Sequence, residues 1–200
     1  MSQKKKFILI AVVLAVLVVV GVAALMAMNG RKDNQTVNNS GTSNSDTSPQ
    51  QDALLGPTFT DSQTGVTVRA PKDWELAPKD TENPNSLTKF QHKNSRANGE
   101  LAAVRSNASM DDIIRGYLEG AINVDYKTSL IDNKTVTIGN KPARLLIQDI
   151  PGPDGQTARL TQYFFNKDGT YYILTYTILG SDWEAQRPGI EASAASLKMK

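Results

Sequence analysis

The chain carries one histidine and no cysteine, which narrows the chemistry its side chains could perform. His92, in SLTKFQH, could act as a base toward a serine or as a single imidazole ligand. A metal site built on one imidazole needs carboxylates beside it, and no His-x-x-His or Glu-x-x-His spacing is present. No Gly-x-Ser-x-Gly elbow presents a nucleophile. His92 is therefore read as a solvated residue at a strand end. Asp111 and Asp112 could form a carboxylate pair, but neighbours on a helix point about 100° apart and do not converge on one ligand. Asp154 in GPDGQ and Asp168 in NKDG resemble fragments of calcium loops, yet neither has the alternating oxygen ladder or the closing glutamate. Turn chemistry accounts for both. The aromatics Tyr163, Phe164, Phe165, Tyr171, Tyr172 and Tyr176 could stack on bases or sugars. Alternation along paired strands sends about half of them into the core, and an exposed tyrosine ladder would suit a protein surface. No glycine-rich phosphate cradle appears. The expectation is a non-enzyme with no catalytic, cofactor or metal residues and with a partner surface of unknown position.

The elements that would carry these residues begin near Leu54. Phe59-Thr60 and Val66–Arg69 read as a hairpin across Asp61–Gly65, and Pro71 ends its second strand because proline lacks a ladder donor. Trp74, just beyond, reads as a lid folded under the sheet edge. SLTKFQH (86–92) and ELAAVRS (100–106) have strand character. Met110, Ile113, Ile114, Tyr117, Leu118, Ala121 and Ile122 form one apolar stripe, so 110–122 is a helix, with Ser109 as N-cap and Asp111 and Asp112 at its positive end. Strands follow at 128–131, 134–139 and 143–150, the last two joined by Gly139-Asn140. PGPDGQ (151–156) is a turn, and 158–165 and 170–179 flank NKDG as a second hairpin. Ser181-Asp182-Trp183-Glu184 reads as a capping box, and Pro188 as the start of a second helical segment. Strands, a helix, more strands and a terminal helix give an α+β chain, an antiparallel sheet flanked by helices.

The N-terminus speaks to address. Lys4-Lys5-Lys6 precedes 22 residues without a charge, Phe7 to Met28. At 1.5 Å per residue such a helix is about 33 Å long, enough to cross a bilayer core. The run is longer than the apolar region of a signal peptide, so it reads as an uncleaved anchor, with a cleaved signal as the alternative. The positive-inside rule puts Lys4–Lys6 in the cytoplasm. Residues 33–52 are nearly all Asp, Asn, Gln, Ser and Thr, a composition with almost nothing to bury. The expected order is a cytoplasmic tail at 1–6, a transmembrane anchor at 7–28, a disordered linker at 29–56 and an extracytoplasmic domain at 57–200. The net charge of +2 lies wholly before residue 54; beyond it 17 basic and 17 acidic residues balance. A nucleic-acid binder normally carries a basic excess on its domain, so the expected partners are the lipid bilayer through 7–28 and an envelope protein, without nucleic acid.

Two stretches resemble a known family. Phe59, Gly65-Val66-Thr67-Val68 and Pro71-Lys72-Asp73-Trp74 are similar to the strand and Pro-x-x-Trp opening of PsbP-like domains. YYILTYTI, a short linker and a helix ending in IEASAASLKM resemble their close, with Ser196-Leu197-Lys198 where many members carry a Ser-Phe-Lys-like end. The resemblance spans about residues 57–200. It implies an α/β/α sandwich around an antiparallel sheet and a role in binding or assembly, with no shared catalytic set. The anchor and tether set this chain apart from the photosynthetic member, and an extracytoplasmic position sets it apart from the Ran-binding one. A carrier for a small apolar ligand or lipid, with a pocket near Tyr117 and the 170–179 strand, is the alternative function. A hydrolase using a serine and His92 stands behind it.

Overall fold

Alternating side chains on the later strands put apolar groups on both faces of one sheet, so both faces must be covered. The computed structural model describes residues 49–78, 83–122, 128–152 and 155–199. The basic tail, the anchor expected at 7–28 and the tether up to residue 48 lie outside the described residues. So does Asp154. Among the described residues no helix is long and apolar enough to cross a membrane.

Among the described residues nine strands, two α-helices and a short 3-10 turn at Gly180–Asp182 follow a helical turn at Pro49–Asp52. A hairpin comes first, β1 (Leu55–Thr60) and β2 (Thr67–Pro71). β1 takes in Leu55 and Gly56, which the expected linker included. Asp61 closes the hairpin loop, accepting the backbone N–H of Thr64 at 2.7 Å. Then come β3 (Trp74–Ala77), β4 (Ser86–His92), β5 (Asn98–Arg105), α1 (Met110–Ile122), β6 (Ser129–Ile138), β7 (Lys141–Pro151), β8 (Thr157–Lys167), β9 (Thr170–Leu179) and α2 (Trp183–Ser196). β3 to β9 form one seven-stranded sheet in the order β3-β4-β5-β9-β8-β7-β6. Every pairing is antiparallel.

The two faces bury separate clusters. Ile113, Ile114 and Tyr117 of α1 meet Leu146, Ile150, Leu160, Phe164, Tyr171 and Ile173. On the other face α2 and the hairpin supply Val66, Val68, Trp183, Ile190 and Ala194, which pack on Leu145, Tyr163, Phe165, Leu174, Tyr176 and Ile178. The α1 cap is as expected: Ser109 Oγ accepts the Asp112 N–H at 3.2 Å. Both tight turns hold left-handed residues, Gly139-Asn140 at φ 53° and 62° and Asp168-Gly169 at φ 52° and 76°.

Four expectations change. The stretches 128–131 and 134–139 are one strand, β6, with a register shift between Leu130 and Asp132; an extra residue bends the ladder without ending it. Trp74 opens an edge strand, β3, paired with β4 from Trp74↔His92 to Ala77↔Lys89, where no strand was expected because four residues carry too little periodicity. The capping box is not made: Asp182 is the N-cap without a side-chain bond, and the Ser181 hydroxyl bonds the Asp182 carboxylate instead, at 3.0 Å. Pro188 lies inside a continuous α2. Proline has no N–H to donate to the carbonyl four residues back, which belongs to Glu184, a solvent-exposed residue where water is at hand to take the donor's place.

Candidate partner face

His92 is half-buried rather than solvated. Its ring meets Trp74 edge-on at 5.8 Å, Nδ1 accepts the Asn94 N–H at 3.1 Å, and Nε2 lies 3.3 Å from Gln186 Nε2. The Trp74 indole N–H donates to Gln186 Oε1 at 3.2 Å. His92 thus belongs to a junction of β3, β4 and α2, and no serine hydroxyl bonds it among the described residues. Asp112 is held by Ser109 and Arg115; the Ser109 hydroxyl pulls its carboxyl below the usual range, burial opposes it, and the Arg115 charge adds to the lowering. Asp111 and Asp168 are exposed. Among the described residues no group of three His, Asp or Glu side chains could hold a metal.

The aromatics go to the core. Tyr163, Phe164, Phe165, Tyr171, Tyr172 and Tyr176 are all buried, so no tyrosine ladder faces solvent. The seam beside Tyr117, where an apolar pocket was the alternative expectation, is occupied by Tyr117 packed edge-on against Phe164 at 5.8 Å.

Register, which the sequence alone does not supply, reveals a different feature. On the α1 face, Lys89, Glu100, Thr175 and Gln162 lie side by side across β4, β5, β9 and β8. One step along, Gln91, Asn98, Thr177, Leu160 and Gln148 form a parallel row reaching β7. The same strands turn Phe90, Leu101, Leu174 and Tyr176 to the opposite face, all buried. Over β4 and β5 the polar rows are open: Gln91 is exposed, and Lys89, Asn98 and Glu100 are half-buried. Asn83 Nδ2 donates to Glu100 at 3.0 Å, and Gln162 Nε2 to Thr175 Oγ1 at 3.3 Å.

A solvated sheet face accounts for the open end of these rows. Their inner end is different, because Gln148 and Gln162 are buried at 3% and 2% exposure. Gln148 Oε1, Gln162 Oε1 and Tyr117 Oη make no hydrogen bond within the described residues. Burial raises the Tyr117 phenol, and the nearby Gln162 amide only partly offsets it without reaching hydrogen-bond geometry. Such oxygens are costly to leave unpaired. The polar rows therefore run from solvent to three underused oxygens beneath α1.

Comparison with known proteins then decides the family. Residues 8–192 match the model of the family described as PsbP-like protein. The chain belongs to the PsbP-like family. The solution structure of cyanobacterial PsbP (CyanoP) from Synechocystis sp. PCC 6803 superposes with a TM-score of 0.56 at 11% identity, covering 80% of this chain and 98% of that one. The Ran-binding protein Mog1p of Saccharomyces cerevisiae gives a TM-score of 0.52 at 9% identity, covering 72% and 96%. At such identities these neighbours share the PsbP-like fold alone. A search of curated proteins gave no match.

Proposed function

We propose that this PsbP-like chain is a membrane-anchored, extracytoplasmic, non-enzymatic binding or assembly module that meets an envelope protein on the polar rows of β4 and β5. The carrying observation is the rows themselves. Gln91 and Asn98 present amide groups beside the charged side chains of Lys89 and Glu100 on one face, a pattern suited to a protein partner and short of the basic excess that nucleic acid requires. The uncharged run Phe7–Met28 supports the anchor, and the family match begins at residue 8 and takes in nearly all of that run. The carrier reading asks for an apolar hollow beside Tyr117, a place that Tyr117 and Phe164 fill. The hydrolase reading asks for a serine on His92, whose contacts are Trp74, Gln186 and Asn94.

A photo-crosslinking residue placed at Gln91 or Asn98 of the full chain in its native membrane tests the reading. One discrete protein adduct at these positions, absent from Gln63 on the opposite hairpin, is the expected result. No adduct at either position, or equal adducts at all three, would discard the surface.

A further inference from the structure

β6 and β3 are the two ends of the sheet. Among the described residues the large apolar side chains standing out into solvent are Leu76 on β3 and Leu130 and Ile131 on β6, the last two at 50% and 51% exposure. β3 has four residues and β6 has ten, so β6 is the edge long enough to pair with another strand.

The hairpin fixes which β6 groups face outward. Gly139-Asn140 is a two-residue turn closed by Ile138↔Lys141, and the closing pair of such a turn exchanges both hydrogen bonds. Bonded and non-bonded pairs then alternate, so Ile138, Val136, Lys134 and Asp132 direct their backbone groups to β7. Thr137, Thr135 and Asn133 direct theirs to the open edge. Pro142 agrees with this phase: it lies opposite Thr137, in a pair that needs no donor from it.

We infer that β6 pairs antiparallel with β6 of a second copy of this chain, about a twofold axis at Asn133. Only registers that bring outward-facing residues together are open to it. With Asn133 opposite its own copy, Asp132 faces Lys134 of the second chain and Lys134 faces its Asp132. These are non-bonded pairs, where side chains come closest, about 4.5 Å between Cα atoms. A shift by two residues one way sets Lys134 against Lys134, and the other way Asp132 against Asp132. The Asn133-centred register alone makes two opposite-charge pairs.

The side-chain directions agree. Asp132 and Lys134 share a face, opposite Ile147 and Leu145, and already touch at 2.6 Å. The second copy completes a square of alternating charge. Asn133 and Thr135 share the other face, both bonded to Arg144. The irregularity between Leu130 and Asp132 falls at Ile131, which lies opposite Thr135 of the second chain. The exposed Leu130 and Ile131 then flank each end of the pairing, so the charges set its register and the apolar pair adds buried area.

The inference is independent of the polar rows on β4 and β5, and its test uses the full chain in detergent micelles. The chain has no cysteine, so Asn133→Cys introduces one thiol on the axis, within disulfide reach of its copy. Thr135→Cys introduces one about 13 Å from its copy, at about 3.3 Å per residue. Mild oxidation should link Asn133→Cys and leave Thr135→Cys single. Asp132→Lys or Lys134→Asp alone should weaken self-association on the order of tenfold, and the double exchange should restore it to within about twofold. A monomeric wild-type chain overturns the proposal. So does equal linking of the two cysteine variants, or single reversals that leave association unchanged while far-UV circular dichroism is preserved.

Discussion

Replacing Trp74 tests how the hairpin, edge strand and final helix are held together. The indole is fully buried, lies edge-on to Tyr176 and His92 at 5.8 Å each, and donates to Gln186 at 3.2 Å. A buried tryptophan removes roughly 200 Å² from water, about 5 kcal/mol at 25 cal/mol per Å², while alanine keeps only Cβ and leaves a cavity. Trp74→Ala should therefore cost about 4 kcal/mol, within the usual range of about 3–5 for such truncations. That lowers the melting temperature by roughly 8–16 °C for a domain of this size. Trp74→Phe keeps one ring and loses the Gln186 bond, so about 1–2 kcal/mol is expected. Urea unfolding of the full chain followed by far-UV circular dichroism measures both. A Trp74→Ala loss below about 1 kcal/mol, the size of an ordinary surface change, would refute the packing argument.

Three further outcomes follow from the same core. Tyr176 donates to Ser193 at 2.6 Å in a buried site, so Ser193→Ala should cost about 1–3 kcal/mol by orphaning a phenol, read by chemical denaturation. Gly139 holds φ 53°, and a Cβ there would meet the Ala195 carbonyl at 2.6 Å; Gly139→Ala should lose about 1–3 kcal/mol, with Gly155→Ala, strained in φ but open in space, losing less. Burial raises the phenols of Tyr117, Tyr163 and Tyr176 above their ordinary 10.0, with Ser193 offsetting part of the shift at Tyr176 and Glu191 adding to it at Tyr163. Their contribution is fully present below pH 10, where both states keep the proton. It is lost as pH rises further, because the unfolded chain ionises first. Stability should fall by about 4 kcal/mol per pH unit above pH 10, from about 1.4 for each tyrosine. Melting curves with tyrosinate absorbance check this, and a flat profile to pH 12 would contradict it.

Much of the architecture was legible because local signals agreed with it. The α1 stripe, the Ser109 cap and the two tight turns each rest on a few adjacent residues. β3 was missed because a four-residue strand has no period to detect and is defined by its pairing with β4. Ser181 and Pro188 misled because a motif states what a side chain can do, while neighbouring geometry decides what it does. The polar rows were illegible for a related reason: Lys89, Glu100, Thr175 and Gln162 are scattered in sequence, and only strand register makes them neighbours. The outward phase of β6 is likewise set by a turn several residues away.

The claim on which the functional account rests is that a PsbP-like domain is held outside the cytoplasm by its own N-terminal span. Protease added to spheroplasts that carry the full chain and have an intact cytoplasmic membrane, followed by alkaline extraction and mass measurement of the membrane fraction, tests it directly. The account predicts an intact 21.7 kDa chain that resists extraction before protease and, after protease, leaves behind only a short N-terminal fragment. A chain found free in the medium without its first residues, or one that protease reaches only after the spheroplasts are broken, would contradict it.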